Sequence, residues 1–330
     1  MDIKEKNKVM KKLEVILFAA TLIALGCNTQ KNTQRSVTEQ LSQSYNGPII
    51  DMHIHAYSEG NPLFGMTHPP TLRGKTYKGV TSATEQKEKT LEKFRKYNIV
   101  NAVVTDGQLW IDNNEELILT ANVKTTAALR TQFEEGKLKA IAEMSPFYAG
   151  KLANDSSIMP YFELAQTLNI PVGVHVLPGG PNYGIHHLPE MLDKTRVKNA
   201  NPLQLEEALV KFPKLKLYIM HGGWPYIEDL KGIMYAHPNV YVDISVLNWI
   251  LPQEEFNNYL KSLINAGFGN RILFGTDQMV WPDTIDEAVE SVNSAHFLSL
   301  KQKEDIFYNN AAKFLGLSTE EIAKHKAYSK

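Results

Sequence analysis

Eight short apolar runs separated by longer amphipathic stretches constrain this chain more than any other feature of its sequence. The runs are Ile49 to His53, Ile99 to Thr105, Glu116 to Ala121, Leu138 to Glu143, Pro171 to Val176, Leu215 to His221, Val240 to Ser245 and Arg271 to Asp277. Between and after them, helical patterning covers Ala83 to Lys96, Thr125 to Glu135, Pro160 to Leu168, Gln204 to Phe212, Glu254 to Ala266, Thr284 to Ser294 and Ser299 to Leu315. Such alternation predicts a parallel α/β sheet. The third run reads equally as the start of the helix that follows it. Eight strands over about 270 residues, Pro48 to Leu317, match the size of a (β/α)8 TIM barrel. The competing doubly wound sheet lacks its usual support, because no G-x-G-x-x-G and no Walker sequence occurs.

Polar residues close several of these runs. In Asp51-Met52-His53-Ile54-His55 the alternation of a strand sends His53 and His55 the same way and predicts that Ile50, Met52 and Ile54 face the helices. His175, His221 and Asp277 end the fifth, sixth and eighth runs, and Glu143 ends the fourth. A buried polar group at the end of an apolar run is costly unless a partner or a metal satisfies it. In a TIM barrel these ends are where active sites form. Cys27 is the only cysteine, so no thiolate cluster can be built and any metal is held by imidazole and carboxylate. That donor set suits zinc first, with manganese or iron as alternatives.

These stretches resemble the amidohydrolase superfamily, in particular its amidohydrolase-related branch. The matching pieces are Asp51 to His55, Pro171 to His175, Ile219 to Gly223, Asn239 to Ser245, Arg271 to Asp277 and Asn309 to Leu315, in that order along nearly the whole chain after Pro48. The resemblance implies a TIM barrel whose metal is bound by His53, His55, His175 and Asp277. His221 is then a further ligand or a catalytic group beside the metal. Relatives often carry a carboxylated lysine or a glutamate bridging two metals on the fourth strand. Glu143 stands there, and Lys139, expected on the same side, lies too deep to replace it.

A divalent metal lowers the pKa of bound water from 15.7 to about 7 and polarises a carbonyl. Asp277 is the expected general base, and His221, followed by Gly222-Gly223, is the alternative donor to a developing oxyanion. Trp110, Trp224, Trp249 and Trp281 all fall just after expected strand ends or in the loops there, and Trp110, Trp224 and Trp281 are the candidate substrate-binding residues. His186 and His187 lie in a loop of substrate-loop character after the fifth run, Asp106 is a candidate support for a ligating histidine, and His68, His237 and His296 carry no spacing argument. No G-x-S-x-G and no H-E-x-x-H is present, which argues against a serine α/β-hydrolase and a zincin.

The N-terminus is organised differently. Lys4, Lys6, Lys8, Lys11 and Lys12 precede an apolar run, Leu13 to Leu25, interrupted by Glu14 and Thr21 and ending in Gly26-Cys27. That is the layout of a secretory signal, too short to span a bilayer comfortably. Its end resembles a bacterial lipoprotein signal, implying residues 1–27 as signal and Cys27 as the lipidated residue. Asn28 to Gly47, rich in Gln, Ser, Thr and Asn with few apolar residues, reads as a tether, leaving 48–330 as the barrel with its C-terminal helix. The expected location is the cell envelope. With 35 Lys+Arg against 36 Asp+Glu, no basic field exists to hold nucleic acid. The expected partners are a small-molecule substrate, the membrane only through the lipid anchor, and a second copy of the chain in an oligomer. The leading expectation is metal-dependent hydrolysis of a small amide, ester or lactone. A decarboxylase or hydratase of the same family and a catalytically inactive envelope binding protein are the alternatives.

Overall fold

The strands form where the apolar runs predict them. The computed structural model describes residues 43–111, 117–180 and 194–327, and in it β1 (Ile49–His55), β2 (Ile99–Thr105), β3 (Ile118–Ala121), β4 (Ile141–Met144), β5 (Val172–His175), β6 (Leu217–Met220), β7 (Val240–Asp243) and β8 (Ile272–Leu273) are all parallel. They are ordered β1-β2-β3 and β4-β5-β6-β7-β8. Both seams between these groups are bonded. Ala121 bridges Ala140 in parallel fashion, the Met52 N–H donates to Phe274 O at 2.9 Å, and the Asp277 N–H donates to His53 O at 2.7 Å. The ring of strands is that of a (β/α)8 barrel. The third run is a strand, not a helix start; its first expected residue, Glu116, lies outside the described residues. The eighth strand is shorter than expected, because beyond Leu273 the Phe274 N–H turns to Ile306 O at 3.0 Å.

The helices are α1 (Ala83–Tyr97), α2 (Thr126–Glu134), α3 (Met159–Leu168), α4 (Glu206–Lys211), α5 (Ile227–Ala236), α6 (Leu247–Ile250), α7 (Gln253–Asn265), α8 (Thr284–Asn293), α9 (Leu300–Glu304), α10 (Asn310–Leu315) and α11 (Thr319–Ala327). Ser82 caps α1 by accepting from the Glu85 N–H at 3.1 Å, and Asn98 ends it at φ 56°, a conformation asparagine tolerates better than most residues. α9 starts with a reciprocal Ser299–Gln302 capping box and runs through one wide turn, Asp305–Asn309, into α10. Helix α5 is absent from the sequence expectation, and α11 extends beyond it.

Two apolar layers sandwich the strands. Ile49, Ile54, Val104, Val174, Ile219, Val242 and Phe274 pack outward against the helices. Inside the ring, Ile50, Met52, Val103, Ala121, Ala142, Met220 and Leu273 form a second cluster with Tyr308, Ala311 and Phe314 from the C-terminal helical run. This corrects the expected direction of Ile50 and Met52, which point inward while Ile54 packs outward. The reason is one extra residue in β1: Asp51 pairs with Ala102 and Ile54 with Val104, three steps against two. β4 repeats the device, with Ile141 opposite Val172 and Met144 opposite Val174. Such bulges re-aim side chains. After Met52 and after Ala142 the inward direction is therefore kept by His53 and by Glu143. Lys139 does not share the side of Glu143, as expected, but is exposed to solvent.

On β5 the inward position is Gly173. A Cβ there would stand 2.5 Å from the Tyr218 ring and 2.7 Å from Met220 Sδ, so glycine makes room for the tyrosine that fills the barrel. The last residues of the expected tether lie against the barrel: the Tyr45 N–H donates to Asn293 Oδ1 at 2.8 Å and the buried Lys303 ammonium donates to Gln43 O at 2.8 Å. The signal, Cys27, the rest of the tether, and His186 and His187 lie outside the described residues. Among the described residues, no helix is long and apolar enough to cross a membrane.

Candidate metal centre

His53 and His55 from β1, Glu143 from β4, His175 from β5, His221 after β6 and Asp277 after β8 meet at the C-terminal end of the barrel. The expected ligands thus converge, and they do so as two groups sharing Glu143. In the first, His53 Nε2 and His55 Nε2 are 3.2 Å apart; Glu143 Oε2 is 3.5 and 3.3 Å from them, and Asp277 Oδ1 is 3.7 and 3.2 Å from them. In the second, Glu143 Oε1 lies 2.6 Å from His175 Nδ1 and 3.0 Å from His221 Nε2, and those two nitrogens are 2.9 Å apart.

The orientation of three imidazoles is fixed from behind. Ser245 Oγ donates its one proton to Asp243 Oδ1 at 2.6 Å, since a carboxylate only accepts. The serine lone pairs then accept from His53 Nδ1 at 2.9 Å and His221 Nδ1 at 3.1 Å. Both rings carry a proton at Nδ1 and turn Nε2 to the centre. His175 reaches the same result with the other nitrogen: its Nε2–H donates to Leu177 O at 3.0 Å, which leaves Nδ1 bare. Asp243 is itself held by the N–H groups of His221 (2.9 Å) and Ser245 (3.0 Å). Asp243 and Ser245 are the functional residues the sequence reading missed. Their i, i+2 spacing at the end of a strand, the same spacing as His53 and His55, is the signal that could have found them. Asp106, expected to support a ligating histidine, instead accepts from Asn122 Nδ2 at 3.2 Å.

Ring nitrogens facing one another at 2.9 and 3.2 Å, beside carboxylates, require a positive charge between them, a shared proton or a cation. The Asp277 Oδ1 and Asp243 Oδ2 atoms are buried with no hydrogen-bond partner among the described residues. Metal–ligand bonds of 2.0–2.1 Å in a tetrahedral site separate donors by about 3.3 Å, close to the spacing of the first group. These residues fit a divalent cation. The electrostatics of the cluster favour positive charge in the same place. Burial disfavours a charged imidazolium, yet Asp277, Asp243 and Glu143 outweigh it and raise His53 well above its ordinary value; in the same way Asp277 and Glu143 push His55 up to about 9. Burial and the neighbouring His221 lower His175. Against burial, the facing imidazoles hold Glu143 and Asp277 below the usual carboxylate range.

Around the centre, His221, Gly222 and Gly223 all have positive φ (59°, 66° and 57°), and a Cβ on Gly222 would stand 2.5 Å from Leu247 Cδ1. The Gly222-Gly223 pair is thus a required tight turn that brings His221 back over the barrel. Trp110 and Trp281 are almost wholly buried, Trp249 donates from Nε1 to Thr276 O at 2.8 Å, and Trp224 is half-buried. His68, which had no spacing argument, is buried edge-on to Trp281 (4.7 Å) and Trp249 (5.1 Å). His237 sits at the C-terminal end of α5, ahead of β7 and away from the site, and His296 is exposed.

The fold has many counterparts among solved structures. An uncharacterised TIM-barrel protein from Bordetella bronchiseptica is 18% identical over 82% of this chain and 98% of its own, with a TM-score of 0.58. The 5-carboxyvanillate decarboxylase of Novosphingobium aromaticivorans, complexed with manganese and a nitrobenzoic acid, is 13% identical over 84% and 99%, TM-score 0.56. A zinc-bound amidohydrolase from Burkholderia multivorans is 13% identical over 82% and 100%, TM-score 0.55. At these identities the likeness is one of fold. Among curated proteins, Protein fluG of Emericella nidulans is 22% identical over 85 residues, 26% of this chain and 10% of that protein, so the chain matches only a tenth of that relative's length. The family described as Amidohydrolase matches residues 50–317, from the strand that carries His53 and His55 to the end of the closing helical run, and the chain belongs to it.

Proposed function

We propose that the chain is a metal-dependent hydrolase of a small amide, ester or lactone, working at the cell envelope. The observation that carries this reading is Glu143, whose two oxygens belong to two different donor groups, one with His53, His55 and Asp277 and one with His175 and His221. A shared carboxylate suits two divalent cations, zinc first and manganese or iron next. When bound, such ions supply hydroxide at neutral pH and polarise the scissile carbonyl. Asp277, ionised and with Oδ1 unpartnered, takes the proton of the attacking water and returns it to the leaving nitrogen or oxygen. His221 acts as a ligand: Ser245 occupies its Nδ1, and its Nε2 belongs to the second group, so no ring nitrogen is left to donate to an oxyanion. Ser245 and Asp243 hold His53 and His221 in the ligating tautomer. The complete donor set argues against an inactive binding protein.

The second reading, a decarboxylase or hydratase, is favoured by the 5-carboxyvanillate and 2,6-dihydroxybenzoate decarboxylases among the similar folds. Turnover of a substrate panel in 18O-labelled water separates the two. Hydrolysis places one labelled oxygen in the carboxylic acid product; carbon dioxide release without label incorporation contradicts the proposal. Envelope attachment rests on the sequence up to Cys27. Cys27→Ala is expected to move the protein from the membrane fraction to the soluble one, and unchanged fractionation contradicts the anchor.

A further inference from the structure

The chain enters the barrel at its closed end, opposite the metal centre, and is fastened there before β1 begins. The buried Lys303 ammonium donates to Gln43 O at 2.8 Å and to Asn293 O at 2.7 Å. The Tyr45 N–H donates to Asn293 Oδ1 at 2.8 Å, and Asn293 Nδ2 donates in return to Tyr45 O at 3.3 Å. The Tyr45 ring stacks on Phe307 with centroids 5.5 Å apart and rings 14° from parallel, and its hydroxyl donates to Pro48 O at 2.9 Å. Whatever precedes Gln43 therefore joins the barrel at this end. Residues 28–42 separate Gln43 from Cys27 and can reach at most about 50 Å even when fully extended.

Charge is divided between the two ends of the molecule. The first turns of α4, α5, α7 and α8, which start toward the mouth, are acidic. The closed end is rich in exposed lysine: Lys139 just before β4, Lys211 in the last turn of α4, Lys214 before β6, Lys313 in the last turn of α10, and Lys324 and Lys326 in the last turn of α11. Helix α11 lies across this end, since His325 Nδ1 is 2.9 Å from the Tyr308 hydroxyl that helps seal the barrel, and the charge of Lys139 acts on Glu321. The carboxylates here, Glu134, Glu135, Glu320 and Glu321, are fewer, and Glu135 is taken by Lys137 at 2.8 Å. Lys139, Lys211, Lys214 and Lys313 form no ion pair among the described residues. A lysine close to an anionic bilayer contributes about 1 kcal/mol of attraction, so several on one face orient a tethered protein.

We propose that the closed end docks on an anionic lipid surface through these lysines, so that the metal centre opens to the aqueous side and takes a water-borne substrate. The proposal rests on the envelope reading and adds to it the face that meets the membrane. For the test, the metal-loaded full chain is coupled through Cys27, its only cysteine, to a maleimide-bearing lipid, which makes the outcome independent of lipidation in the cell. Amide hydrogen exchange is then compared between vesicles of phosphatidylglycerol with phosphatidylcholine and vesicles of phosphatidylcholine alone. On the anionic vesicles, exchange in residues 136–139, 213–216 and 319–327 is expected to slow at least about threefold and to recover as salt is raised. Residues 106–110, 145–151 and 221–226, at the mouth, are expected to exchange as in the chain free in solution. Lys139→Glu combined with Lys214→Glu, both at exposed positions, is expected to abolish the slowing with an unchanged circular dichroism spectrum. Slowing at the mouth, equal slowing on both kinds of vesicle, none on the anionic ones, or slowing that survives the two substitutions overturns the proposal. Docking on the vesicles together with cellular fractionation that ignores Cys27→Ala overturns the lipid anchor alone.

Discussion

Asp277 and Asp243 are both buried carboxylates at strand ends, yet their neighbours give them different work. Asp277 faces His53 and His55 with an unpartnered oxygen, whereas Asp243 accepts from two backbone N–H groups and Ser245 Oγ behind the rings. Asp277→Asn keeps the shape and removes the base; turnover is expected to fall at least about 100-fold with an unchanged circular dichroism spectrum. An active variant would refute the role. Asp243→Ala frees the Ser245 hydroxyl and with it the tautomers of His53 and His221. Metal affinity should drop about 10- to 100-fold in a competition titration with a chelator. The histidines and Asp277 were legible because each ends an apolar run. Asp243 and Ser245 close the seventh run, Val240 to Ser245, at the same spacing as His53 and His55, but they act from behind the rings and not as donors to the centre, which the run alone does not show. Tyr57, stacked 5.6 Å from His55, and Tyr148, 4.7 Å from His175, were illegible: they sit on short irregular segments after β1 and β4 without periodicity.

At the scale of elements, the extra residue in β1 and in β4 turns an ordinary alternating strand into one that fills the barrel with Met52 or Ala142 and then presents a ligand. Simple alternation could not reveal this, because a bulge leaves no mark in the pattern of apolar residues. Helix α5 escaped notice for a related reason: Pro225 precedes it, Gly232 interrupts it and His237-Pro238 follows it, so its local sequence argues for a loop while packing of Leu230, Ile233 and Met234 makes it a helix. Gly173 on β5 offers an element-scale test. Gly173→Ala forces its methyl against Tyr218 and Met220 and should cost about 1–3 kcal/mol in urea unfolding; no loss would mean the barrel interior is looser than described. The β1–α1 excursion is pinned to α8 by Arg73 and Glu287 at 2.6 Å. Burial would raise the Glu287 pKa, but Lys75 and Arg73 outweigh it and lower it overall. A carboxylate with a depressed folded-state pKa stabilises above its unfolded value, near 4.3, and that contribution is lost as pH falls through the folded value. Arg73→Ala should therefore lower stability clearly at pH 7, and the difference from wild type should shrink below about pH 4; a pH-independent difference would contradict the pairing.

For the molecule as a whole, the barrel was legible because eight apolar runs alternating with helical patterning admit few alternatives, and the sequence carries no phosphate-binding glycine pattern to support the competing sheet. What the runs could not show is how the ring closes or that its interior is sealed by Tyr308, Ala311 and Phe314 from the C-terminal helical run. The same closure gathers Glu143, Asp243 and Asp277 around four histidines in a buried space. That concentration of negative charge is the physical basis for expecting a cation there. The most direct measurement is the divalent metal content of the purified full chain by inductively coupled plasma mass spectrometry, on wild type and on His53→Ala and Glu143→Gln. Wild type is predicted to retain at least one zinc, manganese or iron ion per chain through dialysis, with both variants losing it while remaining folded. A wild-type chain that binds no divalent metal, or variants that retain it fully, would contradict the account.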